Sequence, residues 1–147
     1  MPKAIEKFWI FTAPAGTDNH YIDIEGGSRM TPAESAFYFG VPNLLFIGID
    51  GIPVPYSIHA LQYAESFMPL KKVGWSIVNS GGLLFGREVD FVCDLAKKYS
   101  NVKVAIMDDF FNEMPQKCKF MPCELKSIRE KLHSGGNLIE LWVVLYT

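Results

Sequence analysis

Cysteine is scarce in this chain, and what there is does not pair up. Cys93, Cys118 and Cys123 are the three cysteines among 147 residues. An odd number at no zinc spacing excludes a disulfide framework and reads as reduced thiols in a cytoplasmic protein. Cys118-x4-Cys123 lacks the second pair that a structural zinc site needs, so no metal is expected. Basic charge is also short. Fourteen Lys and Arg against sixteen Asp and Glu leave a net charge of −2, and no Lys/Arg cluster stands out. A nucleic-acid groove needs a basic footprint, so that partner is not expected. Long apolar runs are missing too. None reaches the roughly 18 residues that cross a bilayer, so no membrane partner is expected. Met1 to Phe11 is broken by Lys3 and Lys7 and makes a poor signal peptide. There is no linker, low-complexity tract or close repeat.

What is present is apolar mass: 49% of residues are hydrophobic and 14% aromatic. That excludes a disordered chain, and the length suits one domain. Five short apolar runs recur, each bounded by Gly, Pro, Asn or Asp. They are Lys7–Ala13, Asn43–Asp50, Lys72–Asn79, Val102–Asp109 and Ile139–Thr147. None alternates cleanly between apolar and polar, which suits parallel strands covered on both faces. Helical patterns lie between them. Thr31-Pro32-Ala33-Glu34 is a capping box that opens a helix toward Phe39, stopped by Gly40 and Pro42. Ser57 to Phe67 is the second helix and Arg87 to Tyr99 the third. Pro122 to Leu132 is the fourth, ended by Gly135-Gly136. The predicted order is β-α-β-α-β-α-β-α-β, an α/β domain with a parallel sheet.

The connections are asymmetric. Helix-to-strand links are short, whereas strand-to-helix links are mostly long, notably Pro14–Met30 and Phe110–Met121. Strand-to-helix loops lie at the C-terminal edge of a parallel sheet, where ligands bind in barrels and open sheets alike. Asp50, Asp108 and Asp109 end strands there, with Asn79 and Tyr146. A carboxylate on a rigid strand end is placed for acid/base or nucleophilic work. Aspartate also caps turns, and that reading stands beside it. By alternation, Lys103, Ala105, Met107 and Asp109 share a face, as do Glu140, Trp142, Val144 and Tyr146. Pairing Lys103 with Glu140 inside a barrel turns Asp109 inward. His59, early in the second helix, lies near the same edge, and Phe110 could stack on a ligand or anchor its loop. His20, Asp18, Asp23 and Glu25 form a loop cluster that reads mainly as a solvated surface. Asn79-Ser80-Gly81-Gly82 is a Gly-rich turn without the spacing of a phosphate or dinucleotide fingerprint, so no cofactor is expected.

Ala105-Ile106-Met107-Asp108-Asp109-Phe110-Phe111 resembles the fourth strand of glycoside-hydrolase-like (β/α)8 barrels. Ser127 to His133, followed by Leu141 to Thr147, resembles the next helix and strand. The resemblance implies a TIM-barrel-like fold with a carbohydrate ligand. It implies Asp109 or Asp108 as the reacting carboxylate, and Asp50, Asn79, Tyr146, Phe110 and His59, at or near the same edge, are the expected substrate contacts. A complete barrel takes roughly 250 residues, so the expectation is a partial barrel of about five strands. Three function classes follow. The first is a glycoside-hydrolase-like carbohydrate domain. The second is an open, flavodoxin-like α/β domain binding a small molecule or phosphate at Asn79–Gly82. The third is a non-catalytic domain that self-associates through the strand ending at Thr147, whose apolar edge is an aggregation hazard.

Overall fold

The computed structural model describes residues 3–17, 29–79, 82, 84, 86–110, 120–136 and 138–145. Among them the expected alternation is present. Strands β1 (Ile10–Thr12), β2 (Asn43–Phe46), β3 (Lys72–Ser76), β4 (Val102–Met107) and β5 (Glu140–Val143) alternate with four helices. These are α1 (Pro32–Phe39), α2 (Ile58–Ser66), α3 (Glu88–Lys98) and α4 (Pro122–Leu132). All four strand pairings are parallel, and the order across the sheet is β1-β2-β3-β4-β5.

Local chemistry sets the helix ends. The Thr31 hydroxyl accepts the Glu34 N–H at 3.3 Å, and the Glu34 carboxylate accepts the Thr31 N–H at 2.7 Å. This is the predicted reciprocal box. Gly40 closes α1 at φ +64, a left-handed backbone that glycine adopts freely. The Ser57 hydroxyl caps α2 by accepting the Ala60 N–H at 3.1 Å. At the opposite edge of the sheet, two asparagine amides fasten loops. The Asn43 amide donates to Glu6 O and Phe8 O, and that of Asn101 to Phe67 O and Leu70 O.

The strand order has no reversal. Right-handed crossovers that all step in the same direction deliver every helix to the same face of the sheet. A doubly wound sheet instead reverses at a switch point. The two hydrophobic cores follow from this. The larger joins strand residues Leu44, Phe46, Val73, Trp75, Ala105 and Met107 to helix residues such as Ala60, Ala64, Phe91, Val92, Leu95 and Leu132, and to Phe67 just after α2. Phe46 is its hub, with ring centroids 4.8 Å from Tyr63, 5.3 Å from Phe67 and 4.8 Å from Trp75. The smaller core lies on the other face and takes its residues from strands and strand ends: Ile47, Ile49 and Ile106, flanked by Ala13, Leu45, Trp142 and Val144.

The sheet is strongly curled toward that second face. Trp9 precedes β1 and Trp142 lies on β5, yet their rings meet edge to face at 5.0 Å. Four strand spacings of about 4.8 Å would hold flat sheet edges about 19 Å apart. Gly74 lets the concave face close up. A Cβ at Gly74 would collide with the Leu45 side chain and lie 3.2 Å from Val104 Cβ. The architecture is thus an open parallel sheet with barrel-like curvature, helices outside and a packed concave face.

Candidate functional site at the C-terminal rim of the strands

The β2 rim is more elaborate than a strand ending in an acid. The strand stops at Phe46, and Ile49 and Ile52 then form an antiparallel bridge. Each donates its N–H to the other's carbonyl, at 3.0 and 2.9 Å. The two residues between them, Asp50 (φ +52) and Gly51 (φ +78), are both left-handed. This is the geometry of a two-residue hairpin turn, for which Asp-Gly is a favoured sequence. Asp50 is therefore exposed at the tip of a small hairpin on the rim, rather than half-buried at a strand end. Asn79, beyond β3, reaches across and accepts the Gly51 N–H on its Oδ1 at 2.7 Å.

The rest of this loop leans on α3. Tyr56 is left-handed at φ +66, an uncommon state for a bulky residue. Its hydroxyl donates to Asp94 Oδ2 at 2.9 Å, its ring packs 4.9 Å from Phe91, and the Arg87 guanidinium sits 4.6 Å above it. Desolvation, reinforced by the Asp94 carboxylate, pushes the Tyr56 phenol up to about 12. The Lys97 ammonium, and then the Tyr56 hydroxyl, hold Asp94 below the ordinary carboxylate range.

At the β4 rim, sequence alternation misplaced one residue pair. The register sets Val104, not Lys103, opposite Glu140, and Ala105 and Met107 pack on the helix side. Lys103 is exposed, and the Glu140 carboxylate instead accepts the Trp142 indole N–H at 2.9 Å. A register break opposite Val73 and Gly74 precedes this pairing, and polarity alone did not reveal it. Ile106 is in the concave core, so the face that alternation assigns to Ala105, Met107 and Asp109 is not the concave one within the strand, which ends at Met107. Asp109 then turns off the strand at φ +49, and the Asp108 carboxylate accepts its N–H at 3.0 Å. Both aspartates are half-buried.

The remaining candidates are spread more widely. Phe110 is buried in the helix-side core with its ring parallel to Phe120 at 6.2 Å, so it anchors its loop. His59 is exposed and lines a separate groove of about 250 Å³ with Thr31, Gln62, Tyr63 and Ser66. Tyr146 and the loop cluster of Asp18, His20, Asp23 and Glu25 lie outside the described residues. Gly82 is buried, and its N–H donates to Asn79 O at 2.8 Å, so this amide of the Gly-rich turn serves the turn itself. Among the described residues no group of three His, Cys, Asp or Glu could hold a metal, and no helix is long and apolar enough to cross a membrane.

The sequence reading did not single out Glu88. It is buried at the start of α3, and its carboxylate accepts the N–H groups of Gly86 and Arg87 at 2.9 and 3.0 Å. With Ser76, Asn79, Gly48 and Pro53 it lines a cleft of about 30 Å³ under the β2–α2 loop, which has room for water but not a sugar ring. The signal for it was the acid in the first turn of an otherwise apolar helix face. Asn79 and Glu88 thus line one cleft with Gly51, the residue after Asp50, while Asp108 and Asp109 stand at the end of β4. Comparison with family models, with curated proteins and with solved structures gave no match.

Proposed function

We propose that this chain is a carbohydrate-binding, glycoside-hydrolase-like domain that holds a sugar at the C-terminal rim of its curled parallel sheet. Asp109 and Asp108 are the carboxylates nearest the reaction, and Asp50 binds hydroxyl groups from the neighbouring hairpin. The observation that carries this reading is the pair of half-buried aspartates where β4 leaves the sheet. Its setting is a one-sided parallel sheet with barrel-like curvature, and ligands bind at that rim in such folds. In the two-carboxylate mechanism one acid protonates the leaving oxygen. The other attacks the anomeric carbon or activates water.

The test is hydrolysis of a panel of aryl glycosides by the wild-type chain and by the Asp108→Asn and Asp109→Asn variants. The expected result is turnover of at least one glycoside, with kcat lowered about a hundredfold or more in one variant and an unchanged melting temperature. Full activity in both variants, or no hydrolysis of any glycoside by the wild-type chain, would overturn the reading.

A further inference from the structure

We propose that Asn79 is a positioning residue that sets the place of Asp50 without touching the ligand itself, a role that rests on the carbohydrate reading above. The Asp50-Gly51 turn stands at the tip of a hairpin with a single antiparallel bridge, Ile49 to Ile52. A two-stranded hairpin that short is marginal by itself. Ile47 and Ile49 seat the start of the loop in the concave core, and contacts at its far end and at its tip hold the rest of it to the body of the protein. At its far end Tyr56 is fixed to α3 through Asp94, Phe91 and Arg87. At its tip the Asn79 Oδ1 accepts the Gly51 N–H at 2.7 Å.

The fit at the tip is close. A Cβ at Gly51 would lie 3.3 Å from Asn79 Nδ2, and one at Gly48 would lie 3.3 Å from Ile52 O. Gly48 lets the hairpin close on itself, and Gly51 lets its tip approach Asn79. Asn79 follows β3, the central strand of the sheet, whereas Asp50 sits on the adjacent loop. The bond therefore ties the placement of a rim carboxylate to the segment that leaves the central strand. A site whose acids come from different strands needs such a tie, because a shift of about 1 Å at the reacting groups is enough to lose rate.

Asn79→Ala removes the acceptor, whereas Asn79→Asp keeps an oxygen in its place. Two readouts separate placement from mere stability. The first is hydrogen exchange of the Gly51 amide, followed by NMR. Exchange is expected to rise roughly tenfold in Asn79→Ala and to stay near wild type in Asn79→Asp. The second is the kinetics of the aryl glycoside that the wild-type chain cleaves best. Asn79→Ala is expected to raise KM several-fold, Asn79→Asp to restore it, and Asp50→Asn to give the same rise with no further effect of Asn79→Ala in the double variant. Unchanged Gly51 exchange in Asn79→Ala overturns the proposal, and so does a KM effect that adds fully to that of Asp50→Asn. Absence of turnover by the wild-type chain would fall on the carbohydrate reading. The Gly51 amide would then decide the role of Asn79 by itself.

Discussion

Tyr56 shows how one residue can fasten a loop. It stands in the left-handed region, where a bulky side chain is strained, and three neighbours on or beside α3 hold it there. Its neutral form is the one the fold favours, because burial and the nearby Asp94 carboxylate both oppose a phenolate. The folded-state value of about 12 lies above the ordinary 10.0. The stabilisation is therefore fully present below pH 10 and is lost as pH rises toward 12. Titration followed by tyrosinate ultraviolet absorbance checks this. Tyr56→Phe should remove one phenol from the late phase near pH 12. Loss from the ordinary phase would contradict the assignment. Single residues were the least legible scale in the sequence. Asp50 lies at the C-terminal edge of the strands, but Asp-Gly between two isoleucines is also a hairpin signal, and the apolar run around it reads as one strand. Phe110 was open between ligand and anchor, and burial against Phe120 made it an anchor.

Elements were the most legible scale. Each of the four helices starts and stops within a residue or two of its sequence signals, because caps are local chemistry. The α1 box is the clearest case. The Thr31 N–H lowers the pKa of Glu34, and the Thr31 hydroxyl adds to it. That contribution is present above the ordinary glutamate range and fades as pH falls through the lowered value. Thr31→Ala should cost about 1 kcal/mol of stability at neutral pH, measured as a lower urea midpoint at constant slope. A change near zero would show that α1 is held by packing alone. Strands were harder. β1 and β5 are shorter than their apolar runs, since β-propensity reports packing more than pairing. The register break beside Gly74 had no polar signature. Alternation counted from Lys103 and Glu140 therefore puts Ala105 and Met107 on the concave side, whereas the structure packs both on the helix side.

At the scale of the whole molecule, the strand order decides most of the argument. An order of β1-β2-β3-β4-β5 with parallel pairing puts helices outside and leaves a concave face of isoleucine, leucine and tryptophan. The βα rhythm was legible because it repeats four times before the fifth strand, whereas the residues behind the curvature, Gly74 and the Trp9–Trp142 contact, carry no sequence signal of their own. On the edge strand, Val143 is 40% exposed, and Leu145 just beyond it is 58% exposed. If β5 pairs with a second copy, sedimentation velocity should show a concentration-dependent dimer that Val143→Lys with Leu145→Lys abolishes. A monomer at all concentrations would remove that partner.

The central claim concerns the rim of β4, and the aryl-glycoside assay of Asp108→Asn and Asp109→Asn beside wild type tests it most directly. The account predicts wild-type turnover of at least one glycoside and a loss of about a hundredfold or more in kcat in one variant, with the fold intact by melting temperature. Wild-type rates in both variants, or a wild-type chain inert to every glycoside, would contradict it.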